Sequence, residues 1–286
     1  MKKILLAILA ISISLCSDAQ TKKPVSKPKP AVKPVAKTVT PAPLKKTLVL
    51  KTSDYESGNG ASVVWHPLQK KYYAARAGNS TFPMDVFNAA GKRISPEGLE
   101  TQFDIRGLWY DNVKKRICTN GYDDYGWAYY SLTAFGMPDT VTVFCYEILQ
   151  PSENSVGCFD PKTYQVYFLD GTKVLAYGAG GDDYEEDYIE KTTLLVGPDE
   201  ATASSITELP EGYNPTPVFT GIPGKEIGLL NAYGNQVELY SLSTGKRTGI
   251  RKFPENTTLV TIFNFAYTNG MYWLFSIEER TWTGYK

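Results

Sequence analysis

The supply of histidine, cysteine and carboxylate sets what chemistry this chain can perform. His66 is its one histidine, which excludes a three-histidine zinc site and any relay of two imidazoles. It stands in Trp65-His66-Pro67 at the end of a β-rich run, where it reads as structural. No Gly-x-Ser-x-Gly, phosphate-loop or dinucleotide fingerprint occurs. Gly178-Ala179-Gly180-Gly181 is glycine-rich, but strand-forming residues rather than a helix follow it. Carboxylates are plentiful. Asp104, Asp111 and Asp160 could furnish the acid and base of glycoside hydrolysis, which needs two carboxyl groups about 5–10 Å apart. Asp111 and Asp160 also follow anchor aromatics, where Asp caps a turn through its side chain, and that is the first reading of both. The run Asp182-Asp183-Tyr184-Glu185-Glu186-Asp187 offers oxygen ligands for calcium but lacks the spacing of a calcium loop, so it reads as a solvated loop. No cofactor is otherwise expected.

The residue types that suit recognition are concentrated elsewhere. Gly121-Tyr122-Asp123-Asp124-Tyr125-Gly126-Trp127 interleaves three aromatics with two acids on a glycine-hinged loop. Aromatic faces stack on sugars or peptide side chains, and carboxylates accept hydrogen bonds. Tyr122, Asp123, Asp124, Tyr125 and Trp127 are therefore the candidate ligand-binding residues, joined by Tyr233 and Asn235 if the fold brings their loops to one face. The competing reading packs Tyr122 and Trp127 into the interior.

The elements that must position these residues repeat. An aromatic anchor, a polar turn and a second strand recur at Trp65, Trp109, Phe159, Phe219 and Phe265, spaced 44, 50, 60 and 46 residues apart. A period of about 40–50 residues built from short strands is that of a β-propeller blade. Strand runs cut by Gly, Pro, Asn and Asp mark four strands in each of four units. The fifth unit, from Thr261, supplies three strands, whereas Thr47–Thr52 is a strand without a blade. The expectation is an all-β, five-bladed propeller closed by that N-terminal strand, which removes two sheet edges. Six blades and a tandem β-sandwich are the alternatives. Residues 197–212 have room for an extra hairpin. In alternating antiparallel strands, every second-to-third loop emerges on one face, which places Tyr122–Trp127 with Tyr233 and Asn235.

Two turns carry a resemblance. Asp85-Val86-Phe87-Asn88-Ala89-Ala90-Gly91-Lys92 and Glu238-Leu239-Tyr240-Ser241-Leu242-Ser243-Thr244-Gly245-Lys246 resemble turns of NHL- and YVTN-type propellers, and the likeness extends over most of 47–286. It implies binding, scaffolding or, in some members, lyase or hydrolase activity. The single histidine departs from the lyase pattern.

Residues 1–19 read as an export signal, with basic Lys2 and Lys3, an apolar Ile4–Leu15 too short to span a bilayer, and small residues before Gln20. The ending Ala19-Gln20 resembles signals of Bacteroidota envelope proteins. Cys16 raises lipidation, although Leu15 occupies a position where a lipobox has a small residue. Residues 20–46 hold eight Lys, six Pro and no acid, the composition of an extended spacer reaching about 80 Å at about 3.1 Å per residue. The same lysines could dock on an anionic surface. From Thr47 onward, 20 basic residues face 29 acidic ones, a formal charge of −9 hidden by the net zero of the whole chain. An acidic body is a poor partner for nucleic acid. Cys118, Cys145 and Cys158 are read as buried thiols, with a Cys145–Cys158 disulfide as the alternative. No stretch after the signal has the length of a membrane helix. The sequence thus predicts an exported periplasmic, outer-membrane-associated or secreted protein. It would bind or scaffold an envelope protein or glycan, and the alternative is a carbohydrate-active enzyme with carboxylates in a central channel.

Overall fold

The computed structural model describes residues 42–55, 58–146, 149–180 and 188–286, within the compact unit Thr40–Lys286. The expected signal, most of the expected linker, Cys16 and the acidic run at 182–187 lie outside the described residues. Strand β1 (Lys46–Lys51) is followed by blade 1, with β2 (Asn59–His66), β3 (Lys71–Ala77) and β4 (Met84–Asn88). Blade 2 holds β5 (Ile105–Asp111), β6 (Arg116–Gly121), β7 (Trp127–Leu132) and β8 (Pro138–Cys145). Blade 3 holds β9 (Cys158–Asp160), β10 (Gln165–Asp170), β11 (Lys173–Gly178) and β12 (Ile189–Thr193). Blade 4 holds β13 (Val218–Phe219), β14 (Ile227–Asn231), β15 (Gln236–Tyr240) and β16 (Arg247–Lys252). Blade 5 is β17 (Phe265–Thr268), β18 (Met271–Ser276) and β19 (Thr281–Tyr285), completed on its outer edge by β1.

The five antiparallel sheets form a ring. Each innermost strand packs against those of both neighbours, in the closed order β2, β5, β9, β13, β17 and back to β2. The chain is a five-bladed β-propeller. The reason lies in period-2 alternation with apolar residues at both phases. Val63 faces the Trp273–Trp282 cluster while Val64 faces Ile105 and Leu108 on the other side. Ile117 and Cys118 divide in the same way between blades 1 and 3, as do Val166 and Tyr167 between blades 2 and 4. Each sheet thus buries both faces, which calls for near-continuous apolar strands rather than simple alternation. Five clusters fill the five interfaces.

Closure is by register and by polar clamps. Lys46 stands opposite Tyr285 and Lys51 opposite Thr281, and Lys45 and Lys286 exchange both backbone hydrogen bonds. Leu44, buried between blades 4 and 5, shows that the body takes in residues expected to belong to the linker. After β1 the Ser53 amide and hydroxyl donate to buried Asp85 of blade 1, both at 3.0 Å. Arg76 donates to the carbonyls of Ser53 and Tyr55.

Three details differ from expectation. The fourth strand of blade 1 is broken into two isolated bridges, Phe87 with Arg93 and Pro83 with Glu100, on either side of Pro96, which has no amide to continue a ladder. Residues 197–212 form the short helix α1 (Glu200–Ala203) rather than a hairpin; this connection makes the spacing between the third and fourth anchors the longest. None of the three described cysteines forms a disulfide. Cys118 and Cys145 lie in the interface of blades 2 and 3, and Cys158 packs into the next one. Burial pushes the Cys118 thiol up to about 12, so it behaves as a small apolar group.

Candidate functional site

In each blade the first-to-second and third-to-fourth turns share one face, here the turn face. The second-to-third loops and the connections between blades occupy the other, the loop face. The loop between β6 and β7 is on the loop face and contains a 3₁₀ turn, Asp123–Tyr125. Asp123 adopts a left-handed φ of 47°. Gly126 is required at its position, since a Cβ there would lie 2.0 Å from the Cys145 carbonyl oxygen. The Tyr122 amide donates to the Asp104 carbonyl at 2.9 Å. Its ring lies under the Arg106 guanidinium, 4.6 Å away, and the same guanidinium lies 5.4 Å from the Phe263 ring. Arg106 is fixed by Asp104 at 2.6 Å and by the Asn154 side-chain oxygen at 3.1 Å. A hydrogen bond to Glu153 raises the Tyr122 phenol above its usual range. Tyr125 is 40 % exposed and leans edge-on against Phe103.

The structure therefore gathers Tyr122, Asp123, Asp124 and Tyr125 in one turn. Trp127 is a correction. It begins β7 and is wholly buried, with Trp109 at 5.6 Å and Phe168 at 5.9 Å. Strand alternation directs it into the interface of blades 2 and 3, so it presents no ring to a ligand. Tyr233 is 70 % exposed, and its hydroxyl donates to Glu211. Asn235 lies in the same loop, but its side-chain amide donates to the carbonyls of Phe253 and Pro254, which holds the outgoing chain. Both belong to blade 4, two blades from Tyr122, and share its face.

That face is acidic. Asp170 and the pair Glu278 and Glu279 are exposed on second-to-third loops, and Glu97, Glu100, Glu153, Glu211 and Glu255 are exposed on connections between blades. Its two arginines nearest the axis, Arg76 and Arg106, are buried.

Along the axis runs a cavity of about 250 Å³ lined by the innermost strands. At its loop-face end the lining residues Ser62, Val156, Gly157 and Thr216 are buried, whereas Pro161, Gly221 and Asn269 at the turn-face end are exposed. The channel thus opens on the turn face and is blind at the other. The plug is Phe263-Asn264, both with left-handed φ, 46° and 58°. Asn214 of blade 4 holds the Phe263 carbonyl at 2.7 Å, and Asn264 receives the Gly60 amide of blade 1. Sequence reasoning missed this plug, because left-handed asparagine and phenylalanine leave no compositional mark.

Among the described residues, no Asp, Glu, Lys, Arg or His lines the channel. The candidate carboxylates are engaged elsewhere. Asp111 accepts from the Val113 and Lys114 amides at 2.8 and 2.9 Å and from the Tyr164 hydroxyl. Asp160 accepts from the Lys162 amide and the Thr163 and Tyr167 hydroxyls. Both are the turn caps that the sequence pointed to, and Asp104 is the partner of Arg106. Another carboxylate, Glu238, lies buried in blade 4, ringed by Tyr213, Asn231, Gln236, Tyr240 and Arg247. Burial pushes its carboxyl up, but the hydrogen bonds from Tyr240 and Gln236 and the Arg247 charge outweigh that and hold it below the usual range. Among the described residues, no three His, Cys, Asp or Glu side chains gather in a group that could hold a metal ion.

No family model matches the chain, and no curated protein matches it. Among solved structures it is similar to a chain of "Crystal structure of Nidogen/Laminin Complex", with TM-score 0.42 and 13 % identity over 71 % of this chain and 66 % of that one. It is also similar to "Streptogramin B lyase structure", with TM-score 0.38 and 11 % identity over 81 % of this chain and 65 % of that one. The chain spans just under two thirds of each. The ring of five sheets, not these likenesses, establishes the fold.

Proposed function

We propose that this protein is an exported, non-catalytic binding or scaffolding module of the cell envelope. It recognises a protein or glycan partner through the loop face. The observation that carries the reading is the uncharged wall of the axial channel, together with the use of Asp104, Asp111 and Asp160 as caps and clamps. Glycoside hydrolysis needs two carboxyl groups free to exchange protons beside the bond that breaks, and this channel offers none. The loop face instead presents Tyr125 and Tyr233 on rigid blades amid exposed acids. Such an arrangement suits a partner with basic and apolar groups, and aromatic anchors carry most of the energy of such contacts.

The test is capture from an envelope extract by the immobilised chain. Tyr125→Ala with Tyr233→Ala should reduce capture of the partner about tenfold or more, as loss of two aromatic anchors does, with the melting temperature nearly unchanged. Capture that the double variant leaves intact would reject the loop face. Release of sugar from a polysaccharide by the wild type would restore the enzyme reading.

A further inference from the structure

The turn face has the opposite character. The first-to-second turns of blades 1, 2 and 4 each expose an apolar side chain at the tip: Leu68, 66 % exposed, Val113, 63 %, and Ile222, 40 %. The corresponding turn of blade 3 exposes Pro161. Beside them stand the exposed lysines Lys70, Lys114, Lys115 and Lys162. The third-to-fourth turn of blade 2 adds Phe135, at 82 % the most exposed large apolar side chain described. This turn is seated against blade 1, where the Tyr73 hydroxyl donates to the Gly136 carbonyl at 2.7 Å. Among the described turns of this face the acids are engaged: Asp111 and Asp160 are buried caps, and Glu226 accepts the Gly224 and Leu242 amides. The blade 3 connection with the acids of 182–187 lies outside the described residues. β1 also starts on this side, with exposed Lys45 and Lys46 at its beginning.

We propose that the turn face docks on a bilayer carrying anionic lipid, with Leu68, Val113, Phe135 and Ile222 entering the headgroup layer and the lysines meeting lipid phosphates. A monomer has no use for apolar tips on separate turns, of which those of blades 1, 2 and 3 stand beside exposed lysines, whereas a lipid interface rewards both at once. The charge of the described residues favours this orientation: an anionic surface repels the exposed acids of the loop face and attracts the exposed lysines of the described turns. The loop face then points away from the membrane, toward a partner.

The experiment is co-sedimentation of residues 42–286, which contain all five inter-blade cores and the closing strand, with phosphatidylcholine vesicles with and without phosphatidylglycerol. Omitting residues 1–41 removes the apolar Ile4–Leu15 and most linker lysines as sources of binding. Sedimentation is expected only with the anionic vesicles, and raised salt should weaken it. Changing Lys70, Lys114, Lys115 and Lys162 to Glu should reduce partition on the order of several hundredfold, since each cation near an anionic surface is worth about fivefold. Changing Leu68, Val113, Phe135 and Ile222 to Ser should lower it about tenfold or more. Glu278→Lys with Glu279→Lys, on the other face, should not lower it. Absence of sedimentation with anionic vesicles overturns the proposal. So does equal binding by either turn-face variant, or binding to a soluble anionic polysaccharide in preference to vesicles. None of these results bears on capture through Tyr125 and Tyr233.

Discussion

At the scale of single residues, His66 links two blades. It is buried at the end of β2, and its Nδ1 accepts the Gln69 amide at 3.2 Å. Its ring lies 4.5 Å from that of Tyr110 in blade 2. Burial lowers its pKa below the ordinary 6.5, an effect only partly opposed by its hydrogen bond to the Lys115 backbone. The native state therefore binds fewer protons than the unfolded chain once the pH falls below about 6.5. His66 contributes its full share of stability above that pH and loses it as the pH falls toward the folded pKa. Because it is the sole histidine, no other imidazole titrates in this window. The melting temperature of the wild type should fall between about pH 7.5 and about pH 5.5, and His66→Gln should flatten that slope. Parallel slopes would show that the imidazole does not titrate across unfolding. Trp127 shows what a residue-level reading cannot resolve. Tyr125 and Trp127 are two positions apart in one aromatic-acid motif; one is half in solvent and the other fully buried. Only the start of β7 at Trp127, which sends that side chain into the adjacent interface, separates them.

At the scale of elements, β1 decides whether the ring is closed. Leu50 is fully buried beside Trp273 and Trp282, while Val49, on the other side of the strand, is 36 % exposed. Leu50→Ala should destabilise by about 2–5 kcal/mol, and Val49→Ala by less than about 1 kcal/mol. Urea unfolding of the two variants measures this; equal small losses would mean that β1 is a loosely attached edge and that closure is not structural. Much at this scale was legible in the sequence. Thr47-Leu48-Val49-Leu50 had no blade of its own, and the last unit lacked a strand, so one deficit answered the other. The turns were legible because Asp111, Asp160 and Gly245 do local work that a short window reveals. The plug at Phe263-Asn264, the reduced edge of blade 1 and α1 were not legible. The plug depends on a distant blade: the Gly60 amide donates to the Asn264 side chain from 204 positions away, and no local pattern encodes that partner.

At the scale of the whole molecule, no blade has a core of its own. Every sheet is covered on both sides by its neighbours, and the apolar clusters belong to the interfaces rather than to the blades. Loss of one blade would bare two apolar faces at once, a cost that grows with area at about 25 cal/mol per Å². The expected consequence is a single cooperative transition. The five tryptophans test it, because Trp65, Trp109, Trp127, Trp273 and Trp282 all lie in blades 1, 2 and 5 and none in blades 3 and 4. Fluorescence thus reports blades 1, 2 and 5 and, through Trp109 and Trp127, the interface of blades 2 and 3, but neither blade 4 nor its interfaces, while far-ultraviolet circular dichroism reports every sheet. The two probes should give the same urea midpoint and the same slope. A tryptophan transition separated from the dichroism transition would show that blade 4 parts from the rest as a unit. The ring would then have a seam at the interfaces of that blade. A rigid wheel also holds the exposed acids of the loop face and the exposed lysines of the described turns in fixed, opposed positions; blades that moved independently would not.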